Sequence, residues 1–210
     1  MKKLKKVIFS LLIIFVVLNI AGQAYLSYKN YGLTIFDLYA QRLPKKDKIN
    51  DKYPQKFLVK NNTTFDKQGL NQCAGYSSAY LLRMNGHKIK GDEVYNDLNY
   101  KFTSGYVMPQ AIVKYFKDNN YNITMYKGSI EQLKMHVAKN KPVIVLINDP
   151  KVGLHYVNVI GYSNKNIFLA DSLMNKTSGR YNNKYPIKEF ESIWTNTNVP
   201  IYKQIYYVLN

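Results

Sequence analysis

Cysteine is almost absent from this chain: Cys73 is the only one in 210 residues. An internal disulfide is therefore excluded, and with it the stapled design of small secreted domains, which needs an even cysteine set. No cysteine stands where lipoprotein processing would use one. Histidine is scarce too, with three residues. None of them falls in a metal-binding spacing with Cys, Asp or Glu, so neither a metal nor a cofactor is expected. Acidic residues are few, 13 against 30 Lys and Arg, which leaves a net charge of +17. A high pI is one mark of nucleic-acid binding. Here the basic residues are spread along the chain, so solubility, or an anionic cell envelope or membrane surface, is the expected reason for the charge. Internal repeats and low-complexity tracts are also missing, and the length suits one domain with a real core.

What is present begins with Met1-Lys2-Lys3-Leu4-Lys5-Lys6, followed by Val7 to Ala21, a run without charge whose only polar side chains are Ser10 and Asn19. This is a basic n-region and an apolar h-region. The run is short for a membrane span, which needs ~20 residues. Gly22-Gln23-Ala24 offers small residues to a signal peptidase, and the tyrosines up to residue 28 would suit the interface end of an anchor. Residues 1–28 are thus a signal peptide or an N-terminal membrane anchor, and the lysines hold the N-terminus inside and send the rest outward. The expected location is the cell membrane, with the domain outside, or the secreted fraction. Residues 29–63, with a charged stretch from Pro44 to Lys56, read as a linker or stalk, and residues 64–210 as the domain.

Within the domain, Ala74, Ser77, Ser78, Leu81, Leu82 and Met84 mark a helix that starts at Cys73 and is stopped by Asn85-Gly86. Further helices are predicted over Gly91 to Tyr100, over Pro109 to Asp118 with Pro109 in the first turn, from the Ser129–Gln132 capping box to Asn140, and over Pro186 to Trp194. Strands are predicted at Val143 to Ile147, Tyr156 to Tyr162, Ile167 to Ala170 and Ile201 to Leu209. Helices first and closely spaced strands after imply an α+β domain, with an antiparallel sheet packed against the N-terminal helix.

The chemistry gathers at Cys73, His155 and Asp171. A helix N-terminus, a nearby imidazolium and partial exposure all favour ionisation of a thiol, and the sequence offers all three to Cys73. His155 would pair with the thiolate and later protonate the leaving amine, while Asp171 accepts the other ring N–H and fixes the tautomer. The turn Ser163-Asn164-Lys165-Asn166 would place His155, before one strand, opposite Asp171, after the next. Gln68 and Gln72 are the candidates for a side-chain donor to an oxyanion, beside the Cys73 N–H. His87 reads as part of a solvated turn and His136 has no evident partner. Tyr156 and Trp194 are weak candidates for lining a substrate groove.

With these residues in place, the chain resembles the papain-like cysteine peptidases of the bacteriocin-processing, double-glycine-leader type and their free-standing relatives. Their motif is a glutamine, a short spacer, the cysteine, small residues and a helix. The resemblance runs from Thr64 to Ser172 and by fold to the C-terminus. It implies a papain-like α+β fold, Cys73 as nucleophile, His155 as base, Asp171 as orienting acid, a peptide or protein substrate, and cleavage after small residues such as Gly-Gly. Two departures stand out. The family usually has its glutamine six residues before the cysteine, where this chain has Lys67, so Gln68 takes the role ahead of Gln72. No nucleotide-binding or transporter segment follows, so leader cleavage inside a secretion machine is not carried over. The rival readings are a non-catalytic peptide-binding module of the same fold, and a cell-wall amidase or transglutaminase-like enzyme that keeps the thioester chemistry.

Overall fold

The structure is a computed structural model that describes residues 2–60, 63–175 and 179–210. The N-terminal run forms one continuous helix, α1 (Lys2–Tyr28), with a mean hydropathy of 2.4 in its most apolar window; by length and composition it can cross a membrane. A short helix follows, α2 (Ile35–Tyr39), closed at its start by a capping box in which Thr34 Oγ1 accepts from the Asp37 N–H and Asp37 Oδ2 accepts from the Thr34 N–H.

The remaining elements are β1 (Lys45–Lys46), β2 (Phe57–Leu58), α3 (Cys73–Met84), α4 (Gly91–Asp97), α5 (Pro109–Asp118), β3 (Ile123–Lys127), α6 (Ile130–Ala138), β4 (Val143–Asp149), β5 (Gly153–Tyr162), β6 (Asn166–Ala170), β7 (Asn183–Pro186), α7 (Ile187–Thr195), a 3₁₀ turn at Pro200–Tyr202, and β8 (Ile205–Leu209). Among the described residues the strands form one sheet in the order β1-β3-β8-β4-β5-β6-β7, with β2 paired to the part of β5 that β4 does not reach. All pairings are antiparallel except β1 with β3.

Alternation along the strands builds two cores. On β4, Val143, Val145 and Ile147 face a cluster with Leu133 and Val137 of α6 and Phe190 and Trp194 of α7. Ile144 and Leu146 face the other side, with Leu81 and Leu82 of α3 and Ile112 and Phe116 of α5. Each such fully buried side chain contributes about 1.5–3 kcal/mol of transfer free energy. Helices therefore cover both faces of the sheet, the nucleophile-bearing α3 among them, in keeping with the α+β arrangement expected from the sequence.

Residues 29–63 do not form a free stalk. β1 adds to one edge of the sheet, β2 extends β5, and Val59 is buried, its N–H donating to the Ile160 carbonyl at 2.8 Å. The reason is a buried acid in the lysine-rich stretch: Asp47 Oδ2 accepts from His136 Nε2 at 2.8 Å and from the Tyr206 hydroxyl. The Gln132 side-chain amide donates to the Asp47 carbonyl at 3.0 Å. His136 thus has a partner after all, 89 residues away in sequence. Other differences are local. The helix predicted to Tyr100 stops at Asp97, and the last strand starts at Ile205 because Pro200 opens a 3₁₀ turn.

Candidate active site

Cys73 is the first residue of α3, as its sequence pattern requires, so its backbone N–H lies in the first turn where no preceding carbonyl is in helical reach. The small residues after it have a packing reason. A Cβ on Gly75 would lie 2.4 Å from the Tyr95 Cβ and 2.6 Å from the Gly91 carbonyl oxygen, and one on Gly91 would meet the Tyr76 ring at 2.3 Å. α3 and α4 therefore touch backbone to backbone just beyond the thiol. One turn further, the Ser77 hydroxyl donates to the Tyr156 carbonyl at 2.9 Å and Asn158 Nδ2 donates to the Ser77 carbonyl at 3.2 Å. These two bonds pin α3 to β5, the strand that carries His155.

The position of His155 is set by the turn before it. Asp149 Oδ1 accepts from the N–H groups of Lys151 and Val152, and Gly153 takes a φ of 78° that a side chain would strain, which starts β5 two residues before the histidine. His155 accordingly lies inside β5, paired with Ile147 of β4, and not ahead of the strand as predicted. β6 pairs Ala170 with Asn158. Continuing that register by one residue puts Asp171 level with Val157, a diagonal neighbour of His155 on the same face and within side-chain reach.

The reach is used. His155 Nε2 donates to Asp171 Oδ1 at 2.8 Å, with both side chains buried. That leaves Nδ1 unused by Asp171, and the Cys73 side chain is near enough to act on the imidazole. Burial alone would lower the His155 pKa, but its bonds to Asp171 and Cys73 outweigh this and push it up to about 10. For Asp171 burial works upward, and the hydrogen bond and charge of His155, the Leu173 N–H and the Asn183 amide together hold the carboxyl below its ordinary value. Oδ1 accepts from the Leu173 N–H at 2.9 Å and Oδ2 from Asn183 Nδ2 at 2.8 Å. The Asn182 side chain closes a two-way bond with the Asp171 backbone, 2.7 Å in each direction. The arrangement thus links a carboxylate and an imidazole in a buried row beside the Cys73 side chain.

Gln68 is tied into the same unit. Its Oε1 accepts from the Ser172 hydroxyl at 2.6 Å, its backbone N–H donates to the Ser172 carbonyl at 2.9 Å, and Nε2 donates one hydrogen to the Gly69 carbonyl at 3.1 Å. The amide keeps a second N–H, the type of donor an oxyanion needs. Gln72 plays a different part: its Oε1 accepts from the Gly69 N–H at 3.0 Å and closes the loop ahead of the cysteine.

Two expectations fail here. Cys73 was expected to be partly exposed and is only 5 % exposed. A second hairpin comes against its loop: Phe102 and Tyr106 close a turn by the bond from the Phe102 N–H to the Tyr106 carbonyl, Asn71 Nδ2 donates to the Ser104 carbonyl at 2.6 Å, and the Tyr95 hydroxyl donates to the Gly105 carbonyl at 2.8 Å. Tyr156 and Trp194 line no groove. Both are core side chains, and the Trp194 indole N–H donates to the Ile205 carbonyl. The residues that sequence reasoning missed are Ser172, Asn182, Asn183, Ser77 and Asn158; only Ser172, adjacent to a candidate acid, carried any local signal.

The family model of the Peptidase_C39-like family matches residues 52–200, and the chain belongs to that family. Among solved structures, one described as a C39-like peptidase from Bacillus anthracis is similar with a TM-score of 0.59 at 17% identity, over 76% of this chain and 98% of the other. A double-glycine-motif protease from an AMS/PCAT transporter, in complex with the leader peptide, gives a TM-score of 0.50 at 17% identity, over 80% and 98%. The Carica candamarcensis cysteine protease CMS1MS2, in complex with E-64, gives 0.51 at 11% identity, over 75% and 98%. No curated protein matches. At these identities the structural likeness establishes the fold, which is α+β and papain-like.

Proposed function

We propose that the protein is a cysteine peptidase that cleaves peptide bonds through a thioester on Cys73. The observation that carries this reading is the set Cys73–His155–Asp171, with the histidine held by Nε2 on Asp171 and the Cys73 side chain beside it. The thiolate sulfur attacks the scissile carbonyl carbon, and the negative charge moves to oxygen, to which the Cys73 N–H and the Gln68 amide would donate. Collapse breaks the C–N bond as the His155 imidazolium gives its proton to the departing amine. Neutral His155 then takes a proton from water, which adds to the thioester; collapse returns the thiolate and releases the acid.

Family membership supports a peptide substrate, and the leader peptide bound to the double-glycine-motif protease supports cleavage after small residues. Three donors on the Asp171 carboxylate, His155, Leu173 and Asn183, with its backbone held by Asn182, support catalysis over a binding module that has lost its chemistry. The test is intact-mass measurement of iodoacetamide labelling from about pH 5 to about pH 9, beside turnover of glycine-rich peptides. Rapid labelling below neutral pH, lost in His155→Ala, together with peptide turnover is the expected result. Labelling that rises only as for a free thiol, near pH ~8.5, in both proteins would refute the proposal.

A further inference from the structure

We infer that α1 and α2 act together as a membrane anchor, and that they seat the domain on an anionic lipid surface through a basic groove next to α2. Two polar side chains in the outer half of α1 have partners on or beside α2. Asn19 Oδ1 accepts from the Tyr39 hydroxyl at 2.8 Å, and Gln23 Oε1 accepts from the Ile35 N–H at 2.9 Å. Polar groups inside a bilayer need partners within the protein, and α2 supplies partners to both. The contact is close: a Cβ on Gly22 would lie 3.1 Å from Ile35 Cδ1, so the small residue lets α2 lie against α1.

Depth follows from length. A hydrocarbon core is crossed by about 20 residues. Counted from Val7, the span reaches the neighbourhood of Leu26, so α2, beside Asn19 to Gln23, lies at the outer boundary of the acyl chains. The exposed apolar side chains here suit that place, with Phe36 of α2 and Leu43 a few residues after it each 75% exposed. Tyr25, Tyr28 and Tyr31 stand at the end of α1 as interface residues do.

Immediately beyond α2 opens a groove of about 680 Å³ lined by Arg42, Leu43, Lys45, Val113 and Lys117 among others, with no acidic residue in the lining. Lys114 near it is neutralised by Asp118, while Arg42, Lys45 and Lys117 are exposed. Apolar side chains at the acyl boundary with basic ones just above them form the pattern of a surface made for anionic headgroups. The domain is fastened to this base independently of the groove: the Thr103 N–H and hydroxyl donate to the carbonyls of Tyr31 and Asn30 at 2.9 and 2.6 Å.

The test uses the full chain in vesicles of phosphatidylcholine alone or mixed with phosphatidylglycerol, and two readouts. In Phe36→Trp, the added indole should show blue-shifted emission, quenching by brominated acyl chains and loss of iodide quenching; the native Trp194 is buried and gives a constant background. Lys45 and Lys117 should resist amine acylation, read by peptide mass, in the mixed vesicles but not in phosphatidylcholine alone, with Lys165 at the far part of the sheet as the reactive reference. An indole at position 36 open to iodide in the mixed vesicles, or Lys45 and Lys117 reacting there as fast as Lys165, overturns the inference. Neither readout depends on peptidase activity, so its failure is separate from that of the catalytic proposal.

Discussion

Replacing Asp171 by Asn removes a charge while keeping the shape of the site. The new side-chain oxygen still accepts from His155 Nε2 and the Leu173 N–H, and the cost at Asn183, whose donor now faces another donor, is about 1 kcal/mol or is avoided by an amide flip. What changes is electrostatic. Two unit charges about 4 Å apart at an effective dielectric of about 20 interact by about 4 kcal/mol, or about 3 pKa units. His155, held up to about 10 in the native site by Asp171 and Cys73 against the downward pull of burial, should drop to near neutrality. The alkaline limb of the peptidase pH–rate profile should move down by two to three units, roughly, and iodoacetamide labelling of Cys73 near pH ~6 should slow by about ten- to a hundredfold.

Stability should follow the same pair with opposite signs for its two members. The raised His155 stabilises fully below its unfolded pKa of about 6.5 and loses its contribution as pH climbs through about 10. The lowered Asp171 stabilises above about pH 4 and loses its contribution as pH falls. The gap in Tm between the native chain and Asp171→Asn is therefore widest from about pH 4 to about pH 6.5. Breaking a buried pair costs about 3 kcal/mol, hence about 6–12 °C for a domain of this size. An alkaline limb that stays in place, or a Tm gap that does not narrow toward pH ~10, would refute the account of the pair as a buried ion pair.

Three other substitutions separate the parts of the structure. Ser172→Ala frees the Gln68 amide from its hydroxyl partner and should lower kcat about tenfold with little change in KM or Tm, measured by steady-state peptide hydrolysis and calorimetry. Asp47→Asn leaves the His136–Tyr206 cluster without its carboxylate and should lower Tm by several degrees above pH ~4, where the acid is ionised, while Cys73 labelling keeps its rate. Gly75→Ala drives a methyl into the Tyr95 and Gly91 backbone and should cost about 3 kcal/mol or more in chemical denaturation, and slow Cys73 labelling because the first turn of α3 must shift.

The elements legible in the sequence are those whose signals are local. Pro109 in a first turn, the Ser129–Gln132 box and the small residues after Cys73 each fix a helix within a few positions, and α5 runs over the very residues predicted. β3 was not legible: Ile123 and Met125 are buried in alternation, but five residues between two helices give too short a run to separate from a connection. β1 and β2 have two residues each, below any measurable period, and they exist because β3 and β5 offer edges from far along the chain.

The same division explains the candidate site. Cys73, His155 and Asp171 could be read because each sits at the end of an element or near a turn, and a sheet of period two leaves few ways to bring a residue after β6 near one in β5. The groups that make the pair work could not. Asn183 and Asn182 belong to a segment with no motif, and their bonds to Asp171 form only once β7 is laid on β6. The burial of Cys73 had no local sign either, because the hairpin that covers it is joined to its loop by Asn71 and Ser104, 33 residues apart. That hairpin is also the piece gripped by Asn30 and Tyr31 at the end of α1, so the cover of the thiol and the attachment to the anchor are adjacent residues, Thr103 and Ser104. A change at Thr103 should for this reason be felt at Cys73: Thr103→Val keeps the shape, removes the hydroxyl bond to the Asn30 carbonyl, and should raise the labelling rate of Cys73 by loosening its cover, whereas an unchanged rate would show that hairpin and anchor are mechanically independent.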